Sequence, residues 1–237
     1  MSDYGYLLAR VQALEAAGGT SVPPPTFPST GLPSSFTDHP GGAPVTVVQV
    51  PDGICISGPA FGSDNINTVL QTYPTPPFVL KAQFYLMQAW SVGISGATPQ
   101  TGDCFGGLAI RNVAGNIQAF GLLNSLNAAG VSNDAQTFVI NWTNSTTAAT
   151  GPAQAGTWSP SAALALSDNG TTLTYYYSLN PDAVQNSGYK WHQVYQVAKA
   201  SNFITAPNQI GIFGSMHISA GELVMTRWML ALGTATP

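Results

Sequence analysis

Charge is what this sequence most conspicuously lacks. Of its 237 residues only 7% are Asp, Glu, Lys or Arg, and the net charge is −4 with just 6 Lys and Arg. An average globular protein carries roughly 25% charged residues. Phosphate backbones need a gathered set of cations, so the composition points away from nucleic acid. Anionic lipid is disfavoured for the same reason. The wet surface must instead be built from Ser, Thr, Asn, Gln and Gly.

Glutamate is scarcer still, with only Glu15 and Glu222. A glycosidase needs two carboxylates facing one bond, and no two acids alternate onto one strand face here. The aspartates stand mostly beside Gly, Asn or Pro, where turn formation accounts for them. The histidines, His39, His192 and His217, show no metal-binding spacing, and no nucleophile elbow is present. Cys55 and Cys104 are the 2 cysteines. They have no CxxC spacing and read as buried thiols. No catalytic residue, cofactor or metal is expected.

Long hydrophobic runs are missing as well. The richest stretch, Phe78 to Ile94, is broken by Lys81, Gln83 and Gln88, so no membrane span of roughly 18 residues exists. The first residues have no cationic start and do not read as a signal peptide. The expectation is synthesis in a cytoplasm.

What is present falls into three parts. Residues 1–19 form an expected helix, capped by Ser2 or Asp3 and ended by Gly18-Gly19. Tyr4, Leu7, Val11 and Leu14 take heptad positions a, d, a and d, with Arg10 at g and Glu15 at e. Two heptads are too short to stand alone, so these residues imply a homo-oligomer, a trimer or a dimer, or anchoring on another protein. Residues 20–44 hold Pro23, Pro24, Pro25, Pro28, Pro33, Pro40 and Pro44 and read as an extended linker.

Residues 45–237 read as an all-β domain. Short apolar or alternating runs are separated by Gly, Pro, Asn and Asp, as hairpins require. The expected strands are 45–50, 54–57, 79–87, 104–111, 116–123, 137–142, 162–167, 171–179, 191–197, 209–214 and 223–232. Alternation is cleanest in Leu173, Tyr175, Tyr177 and Leu179. Asp168-Asn169-Gly170 and Ala114-Gly115-Asn116 mark hairpin turns. Aromatics crowd the stretch from Tyr175 to Tyr195. Tyr176, Trp191, His192 and Tyr195 are therefore candidate carbohydrate contacts, set against core packing as the plainer use of the same side chains.

Four runs carry a family resemblance: Ala163 to Ser178 (ALALSDNGTTLTYYYS), Trp191 to Tyr195 (WHQVY), Ile204 to Phe213 (ITAPNQIGIF) and Met225 to Trp228 (MTRW). In this order they resemble the concanavalin A-like superfamily of lectin-like and laminin G-like modules, over residues 78–232. The resemblance implies an antiparallel jelly-roll β-sandwich. The E-x-D-x-x-E strand of that superfamily's hydrolases is missing, as is the acidic calcium loop of its legume-type lectins. The layout of helix, linker and sandwich is similar to bacteriophage virion proteins. It implies a non-enzymatic virion component, made in the host cytoplasm, that serves as a head fibre, decoration or tail appendage beside other virion proteins. The alternative is a carbohydrate-binding module for adhesion to host surface glycans, and a glycan hydrolase is the third reading.

Overall fold

The computed structural model describes residues 36–41, 45–50, 53–58, 65–88, 102–126, 132–156, 161–185, 188–217, 221–234 and 236–237. The helix expected at residues 1–19, with Tyr4, Leu7, Arg10, Val11, Leu14 and Glu15, lies outside the described residues, as does the linker up to residue 35. The chain forms β1 (Thr37–His39), β2 (Thr46–Val50), β3 (Gly53–Gly58), β4 (Asn67–Thr72), β5 (Phe78–Gln88), β6 (Gly102–Arg111), β7 (Ile117–Leu126), β8 (Ser132–Asn144), β9 (Thr147–Ala148), β10 (Ala153–Gly156), β11 (Ser161–Asp168), β12 (Thr172–Ser178), β13 (His192–Ala198), β14 (Gln209–His217) and β15 (Gly221–Leu232).

Two antiparallel sheets result. One runs β1-β4-β14-β6-β7-β8-β10 with β9 on β8; the other runs β13-β12-β11-β5-β15-β3-β2. All eleven expected strands are present with shifted ends. Both hairpin turns place glycine at positive φ, Gly115 at 88° and Gly170 at 99°, where a side chain would be strained. The all-β, sandwich-type architecture is as expected.

Period-two alternation builds the main core. Leu80, Ala82 and Phe84 of β5, with Leu164 and Leu166 of β11 and Tyr175 of β12, meet Leu108, Ile110, Phe120, Val139 and Ile212 of the other sheet. Each buried side chain of the Leu, Ile or Phe class contributes about 2 kcal/mol. Cys55 and Cys104 are both buried, as thiols.

The eight-stranded sheet also buries its opposite face. Leu70, Phe105, Ala109, Ala119, Phe138, Trp142 and Phe213 alternate away from the main core and form a second one. This follows from curling. Phe105 pairs across β7 with Leu123 and Gln136, six residues before Trp142 on β8. A flat sheet would hold those positions about 20 Å apart, yet the two rings lie 6.0 Å apart. The sheet therefore folds around this face, and the Ile66 N–H at the start of β4 donates to the Ser145 carbonyl beyond β8 at 2.8 Å. Gly107 sits opposite Gly121 in the bend. A Cβ at Gly107 would lie 2.4 Å from the Phe120 carbonyl oxygen, so this close approach requires glycine.

One strand arises within the stretch read as linker. Thr37–His39 pairs with Thr68–Leu70 at the edge of the curled sheet, and Pro40 follows where no ladder donor is needed. His39 meets Arg111 Nη1 through Nδ1 at 3.0 Å and Gln209 Nε2 through Nε2 at 3.2 Å.

Candidate functional site

The outer face of the seven-stranded sheet collects aromatic and polar groups. On β5, Leu80, Ala82 and Phe84 point into the core, so Lys81, Gln83 and Tyr85 take the other face. The register extends this face sideways. Gln193, Tyr176, Ala165, Lys81 and Met229 form one row across five strands. Ser178, Ala163, Gln83 and Arg227 form the next.

Trp191 enters this face just ahead of β13. Its ring packs against Ala163, Met229, Ala183 and Val184. The last two belong to a 3₁₀ turn, Pro181–Val184, that Asn180 starts by accepting from the Asp182 N–H. The Lys81 ammonium stands 5.7 Å from the centre of the Trp191 ring, within cation–π range. Gln83 donates through Nε2 to the Tyr85 hydroxyl at 2.8 Å. Tyr85 and Tyr189 are exposed.

The electrostatics of this face are unusual for so uncharged a chain. Lys81 is only 8% exposed, and burial pulls its ammonium below the ordinary lysine range. The one ion pair found among the described residues is elsewhere, between Lys199 and Asp168. Lys190 is exposed beside Trp191, and Arg227 stands opposite Gln83 in the register. The buried Trp191 Nε1 and Gln83 Oε1 have no hydrogen-bond partner.

The four aromatic positions named from sequence separate onto two faces. Tyr176 and Trp191 share the outer face. Tyr195 stacks on the fully buried Tyr175 with ring centres 6.0 Å apart and packs against the main core. His192 stacks on Tyr177 at 5.2 Å, and Tyr177 also packs against that core. The structure adds Lys81, Gln83, Gln193 and Met229 to the outer face. Their signal in the sequence is the interruption of the apolar β5 run by Lys81 and Gln83.

Two other groupings have different character. Asp168 is fully buried. Its Oδ2 accepts from Tyr73 at 2.8 Å and Lys199 at 2.7 Å, and its Oδ1 accepts from the Gly170 N–H at 2.7 Å. Burial and the Asp168 charge push the Tyr73 phenol far above its ordinary range. These bonds tie the β11–β12 turn to the segment between β4 and β5. In the curled sheet the backbone register sets His217, Asp103, Ser125 and Asp134 in one row across four strands.

Among solved structures the chain matches the GH43 protein BlXynB from Bacillus licheniformis, with TM-score 0.55, 12% identity and 87% of this chain covered. It spans 38% of that chain. It also matches a legume lectin-like domain from Entamoeba histolytica, with TM-score 0.51, 11% identity, and 84% of this chain and 91% of that one covered. The fold is lectin-like. The exoplasmic/lumenal domain of VIP36, in its Ca²⁺/Man-bound form, matches with TM-score 0.50, 8% identity and coverages of 87% and 86%. No family model and no curated protein matches the sequence. This lectin-like jelly-roll sandwich agrees with the fold that the sequence resemblance implies.

Proposed function

We propose that the domain is a non-catalytic carbohydrate-binding module whose contact surface is the outer face of the seven-stranded sheet. One observation carries this reading: Tyr176 and Trp191 share that face with Gln193, Gln83 and Lys81. Aromatic faces stack on the C–H faces of sugar rings, and neighbouring amides bond their hydroxyls. Trp191 and Tyr176 are only half-buried, as such contact needs. The lectin-like fold supports the reading at the level of architecture alone.

The heptad pattern of Tyr4, Leu7, Val11 and Leu14 supports use in several copies, which would multiply weak sugar contacts by avidity. A place on a bacteriophage virion is supported by the resemblance of the helix–linker–sandwich layout.

The test is a glycan array probed with the full chain, beside Trp191→Ala and Tyr176→Ala variants. Binding by the parent that both variants lose supports the assignment. Binding that neither variant weakens places the site elsewhere. Breakdown of a bound glycan that disappears in Asp103→Asn would overturn the non-catalytic part.

A further inference from the structure

We propose that the outer-face site selects acidic saccharides, with Lys81 receiving the anionic group of the sugar. This inference rests on the reading of that face as glycan-binding and adds the class of sugar it takes.

Three independent observations converge on it. The first is the isolation of Lys81. Its stem is packed into the middle of the sheet between Ala165 and Met229, and its ammonium meets the face of Trp191. Among the described residues the one ion pair is that of Lys199 with Asp168, and burial is the influence on the Lys81 ammonium. A cation withdrawn from water without an anion is unfavourable. A carboxylate or sulfate brought by a ligand removes that deficit, and burial makes the resulting attraction stronger than at an open surface.

The second observation is the pair of unpartnered polar groups beside it. The Trp191 indole N–H is buried without a partner, and the Gln83 amide uses only one of its two polar atoms, in its bond to Tyr85. Whichever way the amide is turned, its other atom is left over. Beside an ammonium, these two buried groups leave hydrogen-bonding capacity that a sugar carrying both hydroxyls and an acid would satisfy on entering.

The third is the distribution of cations. The whole chain has 6. Lys81 lies on this face, Lys190 is exposed next to Trp191, and Arg227 holds a register position in the adjoining row. In a chain of net charge −4, two of the cations, Lys81 and Lys190, thus stand beside Trp191. Cations beside one aromatic ring favour a single anionic group there.

The test compares the full chain with Lys81→Gln, Lys81→Arg and Lys190→Gln on an array holding sialylated, uronate-bearing, sulfated and neutral glycans. Retained melting temperature is the folding control. The expected result is binding confined to acidic glycans and weakened by salt. It should fall about tenfold or more in Lys81→Gln, survive in Lys81→Arg, and fall less in Lys190→Gln. The sialylated, uronate and sulfated arms identify which acid is taken. Binding to neutral glycans that Lys81→Gln leaves unchanged overturns the acidic preference while the face stays a glycan site. Equal losses in Lys81→Gln and Lys190→Gln overturn the specific role of Lys81. Binding to no glycan overturns this inference together with the proposed function.

Discussion

The Tyr175 hydroxyl of β12 donates to the Gln118 side-chain carbonyl of β7, joining the two sheets inside the core. Gln118 in turn donates to Asn141 at 2.8 Å and to Asn202 at 2.9 Å, and Asn202 donates back to it at 3.0 Å. Both Gln118 amide hydrogens have acceptors, so this polar cluster sits in the interior without an unpaired amide. Burial and the neighbouring Tyr195 raise the Tyr175 phenol well above its ordinary range, keeping it a donor.

Removing the hub should cost far more than removing one spoke. Gln118→Leu strands the Tyr175 hydroxyl and takes one partner each from Asn141, which keeps Thr150, and Asn202, which keeps the Ile204 carbonyl; it should destabilise the domain by about 3 kcal/mol. Tyr175→Phe leaves Gln118 bonded to Asn202 and should cost only about 1 kcal/mol. Urea unfolding of the two variants measures the difference. Equal losses would show that the cluster is not centred on Gln118.

The Asp168 group should behave as a structural knot. Asp168→Asn removes the charge that Lys199 and Tyr73 share and should lower stability by about 3 kcal/mol. Lys199→Met leaves a buried carboxylate with Tyr73 and the Gly170 N–H, and should cost about 2 kcal/mol. Thermal denaturation checks both. Unchanged stability in Asp168→Asn would remove the structural assignment.

Acid should loosen β1 before the rest of the fold. Burial first, and then the Arg111 charge, lower the affinity of His39 for a proton, with Asp38 acting weakly the other way. As pH falls below about 6.5, the undocked strand binds a proton that the docked strand resists, so docking weakens with acidity. Asp38 is raised chiefly by burial, which acts oppositely and only near the carboxylate range. Hydrogen exchange at about pH 7 and about pH 5, each referred to the intrinsic rate at that pH, should show lower protection factors for the β1–β4 amides at the lower value. Protection that is the same at both pH values contradicts this coupling.

The bend in the curled sheet should admit no side chain at its centre. Gly107→Ala places a Cβ 2.4 Å from the Phe120 carbonyl and 2.6 Å from Gly121 Cα. Both are backbone atoms, so relief requires moving a strand. A loss of about 3 kcal/mol or failure to accumulate as soluble protein is expected. A melting temperature equal to that of the parent would show that the bend yields.

The strands were legible because alternation and turn residues report on one strand at a time. Thr172 to Leu179 and Asp168-Asn169-Gly170 needed no knowledge of their neighbours. The strand β4 carries no such signal, since Asn67 and Thr68 break its pattern while being buried, and β1 carries none because three residues show no period. The second core was hidden for a different reason. Phe105 and Trp142 look like ordinary strand residues until the sheet curls, which depends on Gly107 meeting Gly121 across a hairpin. The site was half legible. The crowding of aromatics points to Tyr176 and Trp191, but assigning faces around the β-bulge in the β12–β13 register requires tertiary pairing. That separates them from Tyr195 and His192 and brings in Lys81 from a distant strand.

The placement of β1 has a mechanical consequence. It is held to β4 by three residue pairs at the margin of the curled sheet, whereas the proposed glycan face belongs to the other sheet. Tension entering from the N-terminal side would load that short strand first and open its bonds one after another. The connection could thus lengthen under pull as a sacrificial link, while the surface engaged with sugar kept its shape.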